Sequence, residues 1–360
     1  MLRRLTLLLA LNTVCLIIIT GCGSRETSMT REEALLFAKL IESSVKKGDG
    51  SVIDEGIDKN AMVKRMHLDG KPNADRFSEG IMKYFTIGKQ IASNLNDQDR
   101  YELLKCYEKE GRQHLLFRLY IDKEVSINYH DYELIKINGH TKIADMYIYI
   151  TGENLSETLG NLYDAASPES GSSSTEGAEN IYRVRSLYNA GQYAEAYDTW
   201  ESLPDALKST KPFMLIKVNI CFHLNDNKYL DVLKEYEEKF PGEKNTSLLR
   251  MSGFFARRDY PKALEAVNKL DSQINKDPFL DYYRYLCYTL IKDDENEHTS
   301  LIRLVKNVPD FERGYRELIL ADLAMRNKKE ADSLIKAYRA KKEFNEEQLD
   351  QDLESYGYGK

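Results

Sequence analysis

Residues 189–197 read NAGQYAEAY, and this stretch decides how the second half of the chain is interpreted. Gly191 interrupts one helical pattern and Tyr193 opens the next. Ala196 is a small residue at which two antiparallel helices can approach closely, and Trp200 is suited to pack between them. The stretch therefore predicts two helices joined by a tight turn.

The same pattern returns several times towards the C-terminus. It is repeated, with substitutions, at NKY (227–229), RDYPKA (258–263), DDENE (293–297) and RNKKEA (326–331). Ala331 lies 135 positions after Ala196, which corresponds to four intervals of about 34 residues through Val232, Ala263 and Leu301. Regular spacing of this kind indicates stacked pairs of helices that bury a continuous core.

This pattern resembles the tetratricopeptide repeat, whose unit is a helix pair of about 34 residues. The resemblance covers residues 178–360 and implies an all-α helical solenoid, with a short helix after Asn345 as its terminal cap. The chain departs from the pattern at Val232, which replaces a small residue, and at residues 293–297, where the tyrosine is missing. A generic helical bundle is the alternative.

The resemblance to tetratricopeptide repeats also implies a surface, formed by the first helix of each pair, that binds an extended segment of a partner protein. Counting from the turn residues, six side chains are predicted to face that surface: Arg185, Tyr188, Lys217, Leu224, Leu248 and Phe255. The lysine and asparagine pattern with which some members bind a C-terminal carboxylate is not recognisable. The six side chains alternatively belong to the core or to an unused surface.

Residues 165–177 are rich in serine, glycine and glutamate and contain no large apolar side chain. This composition predicts a flexible linker. It separates the repeats from a first half that spans residues 30–164.

The first half begins with helical patterns and then changes period. Thr30 and Glu33 form a capping-box sequence before a helix that is expected to end near Gly48, and further helical patterns cover 60–66 and 75–92. Strand patterns follow at 101–108, 114–121, 124–137 and 141–150. The dipeptide Asn138-Gly139 is typical of a two-residue hairpin. The predicted fold is α+β, with helices followed by a curved antiparallel sheet.

This order of elements resembles the nuclear-transport-factor-2-like fold and its neighbour, the cystatin-like fold. Some members of that group use a cavity inside the sheet for catalysis and others do not, and no catalytic residue is carried over. His130, Asp131, Tyr132 and Asp145 could form a proton-transfer cluster. Adjacent strand residues point to opposite faces, however, so His130 and Asp131 are not expected to share a cavity.

Residues 1–21 predict a secretory signal. Arg3 and Arg4 precede a mainly apolar run over 5–19, which is short for a membrane-spanning helix. The run ends in Ile19-Thr20-Gly21-Cys22, which resembles the lipobox of bacterial lipoproteins. That resemblance implies cleavage before Cys22, lipid on its thiol and a tether over 22–29. A secretory signal that merely ends in cysteine is the alternative.

The residues after Cys22 suggest where such a lipoprotein would reside. Gly23 occupies the position at which aspartate would retain a lipoprotein in the inner membrane, so the cell envelope and its outer membrane are expected. Residues 23–26 contain no acidic run of the kind that marks surface export in some bacteria. The periplasmic face is therefore the expected location.

The sequence predicts no catalytic, cofactor or metal site. Cys106, Cys221 and Cys287 are more than 60 positions apart, the six histidines show no ligand spacing, and no catalytic motif occurs. A net charge of −7 disfavours binding to nucleic acid.

We expect a membrane-anchored scaffold that binds another envelope protein. The alternatives are a small-ligand or enzymatic role of the α+β domain and self-association through the repeats.

Overall fold

The computed structural model describes residues 26–166, 176–224 and 226–358. Helices and an antiparallel sheet come first, and an all-helical series follows, so the predicted fold class is confirmed. The predicted signal, Cys22 and most of the predicted linker lie outside the described residues.

The helices that precede the large strands are α1 (Arg31–Lys46), α2 (Ser51–Gly56), α3 (Lys59–Arg65), α4 (Ala74–Lys83) and α5 (Ile87–Ser93). The predicted capping box starts α1: Glu33 N–H donates to Thr30 Oγ1 at 3.2 Å, and Thr30 N–H donates to Glu33 Oε2 at 2.9 Å. The single helix predicted over 75–92 is wrong. The chain instead breaks after α4, and the backbone of Gly88 in α5 lies so close to that of Gly50 that neither position has room for a side chain.

The strands are β1 (Glu26–Thr27), β2 (Arg100–Lys109), β3 (Arg112–Ile121), β4 (Ser126–Ile137), β5 (His140–Ile148) and β6 (Glu153–Asn154). They pair antiparallel in the order β2-β3-β4-β5-β6, and β1 pairs with the end of β4. The four long strands match the sequence prediction closely. The predicted hairpin is also present, because Asn138 and Gly139 have φ of 51° and 83°, as a tight two-residue turn requires.

The remaining helices are α6 (Leu155–Ala166), α7 (Glu176–Asn189), α8 (Tyr193–Glu201), α9 (Asp205–Lys208), α10 (Lys211–Leu224), α11 (Asp226–Lys239), α12 (Thr246–Ala256), α13 (Tyr260–Gln273), α14 (Leu280–Ile291), α15 (Asp294–Asn307), α16 (Glu312–Ala324), α17 (Lys328–Arg339) and α18 (Glu346–Ser355). The predicted helix packing positions are all buried: Ala196, Val232, Ala263, Leu301 and Ala331. Asn345 caps α18, so the predicted terminal helix is confirmed.

The sheet has an apolar core on each of its faces. One face packs on α1 and its neighbours, where Ile41, Phe117 and Tyr132 are fully buried. The other face contributes Tyr120 and Tyr129 to a core that it shares with α12 to α16. The two halves of the chain therefore pack directly against each other. The cysteines of the described residues are buried free thiols: Cys106, Cys221 and Cys287.

A candidate binding groove between the second helices

A groove of about 540 Å³ lies over α12, between α11 and α13. Its walls are α11 and α13, which are the second helices of the pairs α10/α11 and α12/α13. Its floor is α12. The residues that line it are Glu237, Phe240, Pro241, Gly242, Glu243, Thr246, Ser247, Arg250, Phe254, Lys262, Glu265, Ala266, Lys269 and Gln273.

The loop between α11 and α12 shapes one end of the groove. Pro241 follows α11 and cannot continue it, and Gly242 turns the chain with a φ of 82°. This turn leaves Phe240 and Pro241 at the groove, where they join Phe254 and Ala266. The surface of the groove is therefore partly apolar.

Charged side chains of both signs border this apolar surface. Arg250 Nε donates to Glu237 Oε1 at 2.5 Å, and this contact raises the pKa of Arg250. On α13, Lys262 is paired with Asp259, whereas neither Glu265 nor Lys269 forms an ion pair with a described residue. The α13 wall therefore carries two charges that are available to a bound molecule.

Two polar atoms of the groove residues lack a partner. Ser247 Oγ and Gln273 Oε1 are buried and have no hydrogen-bond partner among the described residues. Ser247 lies at the start of α12 and Gln273 at the end of α13. Because these two helices run antiparallel, both residues lie at the same end of the groove. A buried polar atom without a partner costs about 1–3 kcal/mol, so native proteins rarely leave one unpaired. Ser247 is 0% exposed, so these atoms lie beneath the surface of the groove rather than on it.

The structure does not bring the six predicted partner-binding residues together on one surface. Arg185 is exposed on α7, and the Tyr188 hydroxyl lies 3.3 Å from His223 Nε2 on α10. Leu224, at the end of α10, packs against the core of α7 to α11. These three side chains are at the start of the helical series.

The other three predicted residues lie elsewhere. Lys217 points towards the second helices, where it pairs with Glu235 at 3.1 Å and lies over the ring of Trp200. Leu248 is 1% exposed in the core shared with the sheet, and Phe255 packs at its edge. Leu248 therefore offers no surface to a partner, because the sheet covers this part of the first helices.

The polar residues considered on β4 separate as strand alternation predicts. His130 and Tyr132 face α1, where the Tyr101 hydroxyl lies 3.0 Å from His130 Nδ1 and 2.6 Å from the Tyr132 hydroxyl. Burial lowers the pKa of His130 to about 4 and raises that of Tyr101. These groups are embedded in the apolar core between the sheet and α1. That packing does not favour a ligand cavity there.

Asp131 lies on the opposite face, where its carboxylate accepts one hydrogen bond from the Tyr107 hydroxyl and lies 3.3 Å from His114 Nδ1. Asp145 joins neither cluster. It accepts from the Ser156 backbone N–H at 3.2 Å at the start of α6, and burial raises its pKa. No sequence pattern singles out Tyr101, Tyr107 and His114, because only the register of β2, β3 and β4 places them beside His130 and Asp131.

Among the described residues, no group of three histidine, cysteine, aspartate or glutamate side chains is arranged to hold a metal ion. Within the same ranges, no helix has the length and apolar character needed to cross a membrane. No protein family, curated protein or solved structure matches this chain.

Proposed function

We propose that this protein is a lipid-anchored scaffold of the bacterial cell envelope that binds an extended segment of another envelope protein in the groove between α11 and α13. The lipobox resemblance at Cys22 and the resemblance of residues 178–360 to tetratricopeptide repeats support this role. The observation that carries it is the groove over α12, whose partly apolar surface is bordered by Glu265 and Lys269, two charges that form no ion pair within the described residues.

An extended polypeptide has the chemistry that the groove requires. An extended segment presents every second side chain to the same face, so it can offer several side chains to the groove. An apolar side chain of the segment can cover the rings of Phe240 and Phe254, and charged side chains can pair with Lys269 or Glu265. The proposed partner segment is therefore extended, with apolar and charged residues close together.

Binding fits this groove better than catalysis does. Two of its carboxylates are held in ion pairs, Glu237 by Arg250 and Glu243 by Lys211 at 2.8 Å. Both carboxylates are thereby engaged by a cation of this chain rather than left free to contact a substrate. The proposed scaffold role therefore needs no reaction at this site.

Site-specific crosslinking tests the proposal. A photoreactive residue would replace Lys269 in the groove and, as a matched control, Lys306, which is exposed on α15, the second helix of the next pair. We expect one envelope protein to crosslink from position 269 and not from 306. A synthetic peptide of the crosslinked segment should then bind the purified protein, and Lys269→Glu with Glu265→Lys, which exchanges the two charges of the α13 wall, should weaken that binding about tenfold.

Two results would contradict the scaffold role. One is equal capture from positions 269 and 306, which would mean that the groove selects nothing. The other is a crosslink to a second copy of this chain, which would identify self-association instead. Metabolic labelling with an alkyne fatty acid tests the anchor separately, because wild type should be labelled and Cys22→Ser should not.

A further inference from the structure

An apolar strip lies exposed on the outer face of α1. Leu36 and Leu40 are one helical turn apart and are 62% and 58% exposed. Phe37 and Val52 continue the apolar surface into a shallow cavity of about 490 Å³ that Thr141 also lines. We call the exposed pair the Leu36/Leu40 strip. Contiguous exposed apolar surface, unlike isolated apolar side chains, is a feature of surfaces that contact a partner or a membrane.

The strip lies near the point at which the described chain begins. Glu26 pairs with Ile137 on β4, and Ile137 pairs with His140 on β5, which lines the cavity beside the strip. Neighbouring strands are about 4.8 Å apart, so Glu26 lies about 10 Å from His140. The Lys136 ammonium donates to Glu33 Oε1 at 2.6 Å and holds the first turn of α1 against the same strands.

The proposed anchor lies within reach of this surface. Cys22 precedes Glu26 by four residues, which span at most about 14 Å. Acyl chains on Cys22 would therefore enter the bilayer close to the strip. Lys39 and Lys46 are exposed on the same helix and Lys47 directly follows it, so their ammonium groups can reach lipid headgroups while the leucines lie deeper.

From this arrangement we infer that the Leu36/Leu40 strip contacts the bilayer surface and forms a second membrane attachment beside the lipid on Cys22. The inference rests on the lipid anchor of the proposed function. The binding free energies of the two attachments add. One acyl chain holds a protein on a membrane only marginally, and each apolar side chain that enters the interface strengthens the attachment. Contact at two points would also fix the orientation of the sheet relative to the membrane.

The test uses residues 22–360 coupled through Cys22 to a maleimide lipid with a single acyl chain. The coupling is selective because Cys106, Cys221 and Cys287 are buried. Partition into phosphatidylcholine vesicles would be measured by flotation. We expect Leu36→Ser with Leu40→Ser to lower the partition coefficient about tenfold or more.

The matched control is Leu290→Ser with Ile302→Ser, which removes two exposed apolar side chains from α14 and α15 and should leave partition unchanged. Thermal unfolding would verify that both variants fold. Equal partition of wild type and the strip variant would overturn the inference. So would a mass in light scattering that is twice that of the chain and returns to a single chain in the strip variant, because the strip would then join two copies. Since the acyl chain is attached in vitro, the result does not depend on lipidation in the cell.

Discussion

The guanidinium of Arg118 on β3 lies 2.5 Å from the carboxylate of Asp277, which precedes α14, and both side chains are buried. The Tyr129 hydroxyl also donates to Asp277, at 3.0 Å, and Glu102 accepts from Arg118. The Arg118 guanidinium stacks 4.4 Å from the ring centre of Phe279. This network joins the sheet to the helical series within their shared core.

Replacement of Asp277 by alanine should strongly destabilise the protein. It would leave the buried Arg118 guanidinium paired only with Glu102 and the buried Tyr129 hydroxyl without its acceptor, and breaking a buried pair typically costs about 3–5 kcal/mol. Urea unfolding would measure this. Asp310→Ala is the control, because the Asp310 carboxylate pairs with Arg100 but is 61% exposed, and such pairs contribute about 0–1 kcal/mol. Similar losses in the two variants would contradict the assigned role of Asp277.

Replacement by alanine should change the free energy of unfolding differently at two buried serines, Ser247 and Ser300. Ser247 Oγ has no partner among the described residues, so Ser247→Ala removes an unsatisfied hydroxyl and should leave the free energy of unfolding unchanged or raise it by up to about 1 kcal/mol. Ser300 Oγ donates to Asn296 O at 2.8 Å, so Ser300→Ala should cost about 1 kcal/mol. Chemical denaturation of the protein without a partner would compare them. A loss in Ser247→Ala as large as that in Ser300→Ala would mean that the Ser247 hydroxyl is already satisfied.

Stability should depend on pH through His130. Burial lowers the pKa of this imidazole from 6.5 to about 4. Between these values the unfolded chain binds a proton that the folded protein does not, so the free energy of unfolding falls as the pH decreases through that window. Between pH 7 and pH 5, wild type should lose about 2 kcal/mol more than His130→Gln. Parallel pH profiles of the two proteins would contradict this prediction.

The packing of α12 on α11 should not tolerate a methyl group at Gly253. A Cβ atom there would lie 2.1 Å from Tyr229 Cε1, and the Tyr229 hydroxyl is held by Leu249 O at 2.7 Å. Gly253→Ala should therefore cost about 1–3 kcal/mol through overpacking. Gly80→Ala in α4 is the matched control, because nothing lies within 4 Å of its Cβ position, and it should stabilise the protein by about 0.5–1 kcal/mol. Thermal unfolding of both variants would show whether the first substitution lowers the stability of the protein and the second raises it.

The elements that depend on local sequence could be predicted. Thr30 and Glu33 identify the start of α1, and Asn138-Gly139 identifies the β4–β5 turn, because capping and tight turns involve residues only a few positions apart. The break between α4 and α5 was missed for the opposite reason. The second of these helices packs through the contact of Gly88 with Gly50, and no local pattern records a contact between residues so far apart.

The candidate site shows the same division. The repeat spacing predicted that Ala196 and Ala263 are buried between helices, but it placed Leu248 on an open surface. An apolar side chain gives the same periodic pattern in the sequence whether it faces a partner or the chain's own sheet. The groove beside Ser247 and Gln273 could not be found in the sequence either, because an unpartnered atom is defined by everything that surrounds it.

The sequence by itself determined the start of α1, the β4–β5 turn, the four long strands and the spacing of the helix pairs, because each depends on residues close together in the chain. Only the tertiary structure decided that the face of the sheet opposite α1 covers the middle of the helical series. Arg118 and Asp277 are 159 positions apart, and residues so distant meet only when both halves have folded and packed. Periodicity records which side of an element avoids water, whereas the choice of what covers that side is made by non-local packing and charge pairing.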